Sequence, residues 1–181
     1  MKDPIVIVPY DANWPAEFIE IGGFLRQALG SKALRIDHIG STAVIGLDAK
    51  PVIDIQISVR SFAEMPAIAD DLAGLGYVHR ADNPDLTKRY FRESEGTRRT
   101  HIHVRELGSF SEQTALLFRD YVRLHAHEAK RYAAIKHSLA KSLRHERERY
   151  TEEKDPYIWD TLRSASKWSQ KVGWKPGNPD A

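Results

Sequence analysis

His38-Ile39-Gly40-Ser41-Thr42, then eleven intervening residues, then Asp54-Ile55-Gln56 is the stretch on which the reading of this chain turns. The first segment reads as a strand that breaks into a turn of small residues, whose backbone N–H groups can approach a phosphate closely. The second lies within Val52-Ile53-Asp54-Ile55-Gln56-Ile57-Ser58-Val59, the strongest strand pattern in the sequence. Side chains alternate along a strand, so Ile53, Ile55, Ile57 and Val59 share one face, and Val52, Asp54, Gln56 and Ser58 share the other. A carboxylate inside a β-branched strand is costly without a partner, and an inward carboxylate is the ligand a hard divalent cation requires. Turn and carboxylate together predict a corner for phosphate and metal.

Working outward, Ala33 to Ile39 reads as the strand that leads into the turn, and Ile5-Val6-Ile7-Val8 as a short strand before it. Between them Phe18, Ile21, Leu25 and Leu29 recur at helical spacing from Trp14, with Asn13 placed to cap the start and Gly30 to stop it. Met65, Ile68, Leu72 and Leu75 mark a helix ending at Gly76. Arg89–Arg92 and Thr100–Val104 read as an antiparallel pair around Gly96. The last third is helical: Leu116 to Leu124, Ala129 to Leu143, and a helix started by Asp155-Pro156 that carries Ile158, Trp159, Leu162 and Ala165. Trp14, Phe18, Trp159 and Trp168 are expected in the core. The pattern predicts a mixed α+β fold, a small mixed sheet followed by a C-terminal helical subdomain. Residues 1–170 form one domain, with a sheet part over about 1–108 and a helical part over about 109–170. Residues 171–181, rich in proline and glycine, read as a flexible tail.

The chain has 181 residues, with 27 Lys and Arg against 25 Asp and Glu. That near balance argues against a basic nucleic-acid coat and an acidic disordered tail, so nucleic acid is not an expected partner. No apolar run approaches the roughly 18–20 residues of a membrane helix. There is no cysteine, which excludes disulfides, thiolate zinc sites and cysteine nucleophiles. A cytoplasmic, bacterial-type domain is expected. Residues 123–154 nevertheless hold nine Lys and Arg against five Glu, a basic flank that suits an anionic small molecule at least as well as a polymer.

His101 and His103 fall two apart on a strand and point the same way. With Asp54 they would make a two-histidine, one-carboxylate set that suits Mn²⁺, Fe²⁺ or Zn²⁺ better than Mg²⁺. The alternative is that they hydrogen-bond neighbours or touch substrate phosphate. His38 either lines the site or is a satisfied strand histidine. Lys50, Lys88, Arg89, Arg92, Arg98 and Arg99 are the basic candidates for a triphosphate, with Arg89 and Arg92 flanking Tyr90-Phe91. Arg119 and Asp120 read as a structural ion pair. Tyr132 and Lys136 share a helix face and turn to the cleft or only pack it.

Tyr10 through Trp14, HIGSTAV at 38–44, GLDAKPVIDI at 46–55, LLFRDYVRLH at 116–125, EAKRYAAIK at 128–136 and YTEEKDPYI at 150–158 together resemble the GrpB family, over roughly residues 8–165. One departure is Ile45, where that family usually carries proline. The resemblance implies the nucleotidyltransferase fold and kinship with a domain fused to some bacterial dephospho-coenzyme A kinases. Nucleotidyltransferases pair Gly-Ser with Asp-x-Asp/Glu on the next strand and a third acid on a later one, and these hold two Mg²⁺ ions. Gly40, Ser41 and Asp54 match. Gln56 stands in the second acid's place, and Thr100-His101-Ile102-His103 offers no third, so Glu93 or Glu106 would have to supply an acid.

The resemblance thus implies catalytic roles for Asp54 and Ser41 and phosphate contacts from Gly40 and Ser41, and the residue reading adds His38, Thr42, Lys50 and Arg89 as expected nucleotide contacts. A Mg²⁺ or Mn²⁺ ion is expected on Asp54, with His101 and His103 added to it by their strand spacing. The expected ligand is a nucleoside triphosphate or another phosphorylated metabolite, with nucleotidyl or phosphoryl transfer as the reaction class. The competing expectations are a non-catalytic binding protein with a degenerate metal site and an interaction module using the basic helices.

Overall fold

The structure, a computed structural model, describes residues 4–181. In chain order its strands are β1 (Arg35–Ile39), β2 (Ile53–Val59), β3 (Tyr77–His79), β4 (Arg89–Glu93) and β5 (Thr100–Glu106). Its helices are α1 (Trp14–Leu29), α2 (Met65–Gly74), α3 (Phe110–Leu124), α4 (Ala126–Ser142), α5 (Arg147–Glu152) and α6 (Asp155–Val172). The strands form one mixed sheet in the order β1-β2-β5-β4-β3, in which β2 and β5 run parallel and every other pair antiparallel.

The alternation in β2 decides what each face does. Ile53, Ile55, Ile57 and Val59 join Ile36, Phe91, Ile102 and Val104 in the main core, against Trp14, Phe18, Leu25 and Leu29 of α1 and Ile68 and Leu72 of α2. Burying each such side chain contributes roughly 1.5–3 kcal/mol, so this face carries the sheet's stability. The other face is polar. Ser58 donates to the buried carboxylate of Glu112 at 2.8 Å, and Arg105 donates to the Gln56 amide oxygen at 2.7 Å, so α3 covers that end of the face through hydrogen bonds. The other end of the polar face stays open and becomes the floor of a cleft. The helical half has its own cores, one around Val44, Leu47, Tyr121, Val122, Tyr132 and Tyr157, another around Ile5, Leu143 and Tyr150.

Several local expectations differ from what is found. Ile5–Val8 is no sheet strand: Val8 alone bridges Ala49, while the Ile5 amide donates to the Arg144 carbonyl and its side chain fills the smaller helical core. The Asn13 side chain caps nothing, and its own amide donates to the carboxylate of Asp11. Trp159 is 55% exposed, because the buried stripe of α6 is Tyr157, Thr161 and Ala165, two positions out of phase with it. The short β3 and α5 lack the alternation or periodicity that betrays longer elements. Residues 173–181 also differ from a free tail. The amides of Asp180 and Ala181 donate to the Ile36 carbonyl, the His38 amide donates to the Asp180 carboxylate at 3.0 Å, and Asp180 pairs with Arg119 at 2.9 Å. Contacts made by backbone and single ions leave no periodic trace in a sequence. Arg119 does pair with Asp120, at 2.8 Å, but it also reaches the buried Asp37 at 3.3 Å.

Candidate functional site

Register brings the site together. Asp54 on β2 lies opposite His101 on β5, and Tyr90 on β4 lies opposite His103. His101 Nδ1 is 3.2 Å and His103 Nε2 3.5 Å from the same Asp54 oxygen, Oδ1. The three potential ligand atoms lie within 4.8 Å of one another, the one such cluster among the described residues. The Tyr90 ring packs on both imidazoles, at 5.5 and 5.2 Å between centroids. Burial pushes the Asp54 carboxyl up, but the hydrogen bonds from His101 and His103 outweigh it and hold the group far below the usual carboxylate range. Burial lowers His103 to about 4 despite its bond to Asp54, so the ring is neutral at pH 7, the form that binds metals. One anionic oxygen beside two imidazoles suits Zn²⁺, Fe²⁺ or Mn²⁺ better than Mg²⁺.

The turn before β2 is shaped around that carboxylate. Gly40 has φ 71° and ψ −169°, and a Cβ placed there would lie 2.6 Å from Asp54 Oδ2. The next residues turn through a short 3-10 helix, Ser41–Ala43, which sets Ser41 on the cleft. Tyr132 on α4 lines the same cleft as Ser41, bringing the helical half up to the turn.

A cleft of about 670 Å³ opens above these groups, lined by eight Lys and Arg against Asp54, Asp82 and Glu148. Lys50 and Lys154 lie over the Tyr150 ring at 4.7 and 4.8 Å, and Lys136 over the Tyr132 ring at 4.6 Å. Burial, reinforced by the neighbouring Lys154, lowers Lys50 to about 8 and Lys136 to about 7, and burial lowers Lys154 as well. Crowded ammonium groups that depress one another are what a polyanion would relieve.

Of the residues expected at the site, Gly40, Ser41, Thr42, Lys50, Asp54, His101 and His103 do line this cleft. Thr42 does so with its hydroxyl spent, donating to the Val52 carbonyl at 3.0 Å. His38 and Arg89 must be corrected. His38 pairs with Ile55 across the sheet and so faces the core, stacked on Phe18 at 4.7 Å. Its Nε2 lies 3.0 Å from Thr42 Oγ1, and since that hydroxyl gives its hydrogen to Val52, the imidazole donates. Arg89 shares a face with Phe91 rather than with Tyr90 and Arg92. Its guanidinium lies 4.1 Å over the Phe62 ring and donates to the carbonyls of Leu86 and Lys88. The period of two, applied to β4, already separates Arg89 from Arg92.

The remaining acids do not rebuild a two-Mg²⁺ site. Glu93 accepts from Arg92 and from the Thr100 amide, and Glu106 accepts from the Phe62 amide at 2.8 Å. Gln56 is held between Arg105 and the Glu112 carbonyl. Arg80, Arg105, Tyr150 and the cleft-facing roles of Arg147 and Lys154 escaped sequence reasoning. The charge excess over 123–154 was the available signal, but a charge count says nothing of direction.

Burial pushes His38 down to about 3, with the Arg123 cation adding to the effect. The folded protein therefore keeps His38 neutral while the unfolded chain takes up a proton below about 6.5. Stability should fall as pH drops from about 6.5 toward 3, by roughly 1.4 kcal/mol per pH unit for this group. Urea unfolding at pH 7, 6 and 5 should show a shallower loss in His38→Gln than in the parent protein, and parallel losses would refute the assignment.

The family model described as GrpB protein matches residues 4–164. The UPF0157 protein YqkA of Bacillus subtilis is 32% identical, over 93% of this chain and 49% of the relative. A UPF0157 protein of Pseudomonas aeruginosa is 39% identical, over 86% and 65%. The dephospho-CoA kinase of Mycobacterium tuberculosis is 33% identical, over 97% and 49%. The chain thus spans about half to two thirds of the length of these relatives. Among solved structures, the conserved protein GrpB from Enterococcus faecalis superposes with a TM-score of 0.84 at 28% identity, over 91% of this chain and 99% of that one. Cid1 in complex with the UTP analogue UMPNPP superposes at 0.52 with 15% identity, over 75% and 43%, which extends the likeness to the nucleotidyltransferase-like fold and no further.

Proposed function

The chain belongs to the GrpB family, and from that premise and the geometry of the cleft we propose that it binds a nucleoside triphosphate, or a metabolite with a similar phosphate chain, together with a divalent cation. The observation that carries this reading is the meeting of the Asp54–His101–His103 trio with three lysines in one cleft, Lys50, Lys136 and Lys154, each lowered by burial. In this reading Asp54, His101 and His103 hold the cation, which when bound would polarise a phosphoryl oxygen. The Gly40-Ser41 backbone approaches the phosphates, and Lys50, Lys136 and Lys154 neutralise the chain. Cid1, the fold neighbour, was solved with a UTP analogue, which supports a triphosphate as the first ligand to try.

Rapid transfer by two Mg²⁺ ions does not follow from these residues. A second ion needs anionic oxygens that Gln56, tied to Arg105, does not supply. That one contact favours the second reading, a binding protein that turns over slowly or not at all. Lys136, Arg147 and Lys154 of the basic flank line the cleft, which favours a small anionic ligand there, while the other six Lys and Arg of that flank stay exposed.

Differential scanning calorimetry tests the proposal. ATP with Mn²⁺ should raise Tm more than ATP with Mg²⁺ or either component alone, since a ligand at about 100 times its Kd adds roughly 2.7 kcal/mol to native stability. No shift with Mn²⁺ and ATP at millimolar concentration would overturn it. Gln56→Glu separates the geometric account from simple motif counting. Its carboxylate would sit 2.7 Å from a buried guanidinium and pair with Arg105, so Mg²⁺ affinity should rise less than about threefold. A rise of tenfold or more, read by titration calorimetry with nucleotide present, would mean that Arg105 yields its place.

A further inference from the structure

The cleft has a second lobe of about 660 Å³ beside the β4–β5 connection, lined by Arg80, Arg92, Arg99 and Arg147 with Glu93 and Glu95. All four arginines also line the first lobe, so the two spaces share one cationic wall. Arg92 lies opposite His101 across the β4–β5 register, which sets the second lobe directly beside the trio. The wall's existing pairings use only part of its capacity. Arg92 gives one terminal nitrogen to Glu93 at 2.9 Å, Arg99 lies 3.9 Å from the same carboxylate, and Arg80 is paired with Asp82 at 3.0 Å. The Nε groups of Arg92 and Arg147 are buried with no hydrogen-bond partner among the described residues.

A buried guanidinium N–H without an acceptor is costly, so two of the four arginines on this wall are not fully satisfied by the chain itself. Four arginines against two glutamates leave an excess of two positive charges in the lobe. A phosphate monoester carries about −1.5 to −2 near neutral pH and offers three acceptor oxygens, a match in both charge and donor geometry for arginine forks. We propose that this lobe is a second-substrate subsite, taking the phosphate monoester of a small molecule held next to the cation and nucleotide of the first lobe. It rests on the reading of the first lobe given above, and it assigns the protein two phosphorylated ligands at once.

Titration calorimetry on the full chain with inorganic phosphate as probe tests it. With Mn²⁺ and a non-hydrolysable ATP analogue at saturation, phosphate should bind one further site per chain. Arg92→Gln and Arg147→Gln should each weaken that binding about tenfold or more, as loss of a charge-assisted hydrogen bond predicts. Arg92→Lys and Arg147→Lys keep the charge but lose the guanidinium fork, and they should weaken it as well even if the glutamine variants fold poorly. Absence of phosphate binding to the loaded protein, or binding indifferent to all four variants, would overturn the proposal. If the analogue itself fails to bind, the triphosphate reading falls alone. Phosphate titrated into the unloaded protein then decides the second lobe by the same dependence on Arg92 and Arg147, which must exceed any effect of Lys136→Ala.

Discussion

Asp54→Ala is expected to weaken Mn²⁺ binding by more than about a hundredfold, beyond the roughly 10–100-fold cost of losing an outer-shell partner of a metal ligand. The substitution removes the trio's single anion and leaves two imidazoles facing a cleft that is already cationic. With the carboxylate gone, the nearby lysines repel an incoming cation without compensation. The metal-dependent part of the nucleotide's thermal shift should vanish, while the part due to phosphate–lysine attraction persists. Asp54→Asn serves as the companion variant, since it keeps the shape and a neutral oxygen and should lose the cation almost as completely. Titration calorimetry with Mn²⁺, with circular dichroism to show that each variant is folded, provides the measurement. Retained Mn²⁺ affinity in both variants would take Asp54 out of the metal role.

Gly40→Ala should be the most damaging small substitution in the chain. The backbone there, at φ 71° and ψ −169°, lies in a region open essentially to glycine alone, at a cost of about 1–3 kcal/mol for any other residue. The new Cβ would also lie 2.6, 2.9 and 3.0 Å from Asp54 Oδ2, Cβ and Cγ, overpacking that adds about 1–3 kcal/mol. Against a typical total stability of about 5–15 kcal/mol, that loss can consume much of the margin. Gly46→Ala isolates the first contribution. Gly46 also has positive φ, 77°, but its added Cβ meets nothing within 4 Å, so only the conformational cost of about 1–2 kcal/mol applies. Urea unfolding of the two variants should show Gly40→Ala as the weaker by about 2 kcal/mol or more. Equal losses would mean that the turn moves away from Asp54 freely.

The sequence was most informative where period and chemistry coincide. The alternation of β2 announces which of its residues meet the core and which meet the site, and Asp54 is legible because it is the charge that breaks an apolar strand. His101 and His103 were legible as a pair by their spacing, and their meeting with Asp54 follows from a parallel register that no local pattern encodes. His38 misled because proximity to Gly40 in the chain is not proximity in space: its cross-strand partner is the core residue Ile55, so it shares the core face. Arg89 misled in the same way. Gln56 was visible as the missing acid, but its partner Arg105 was not, since a cross-strand hydrogen bond between residues 49 apart has no trace in either segment. The cleft's outer wall, from Arg80 to Lys154, depends on how the helical half docks, which composition alone does not orient.

The order of the sheet, β1-β2-β5-β4-β3, also bears on how the molecule comes apart. β1 and β2 are joined by a short connection, and β3, β4 and β5 follow one another as a meander, so each group can form from contacts near in sequence. The parallel pairing of β2 with β5 is the single seam between them, and Asp54 and His101, 47 residues apart, sit on opposite sides of it. Opening of the sheet along that seam and dismantling of the trio are therefore one event. A cation that needs all three ligands would bind only the closed form and would draw the population of opened molecules back toward it. Amide exchange in β2 and β5 should then slow in step with occupancy, at interior positions such as Ile55 and Ile102 that face away from the cleft.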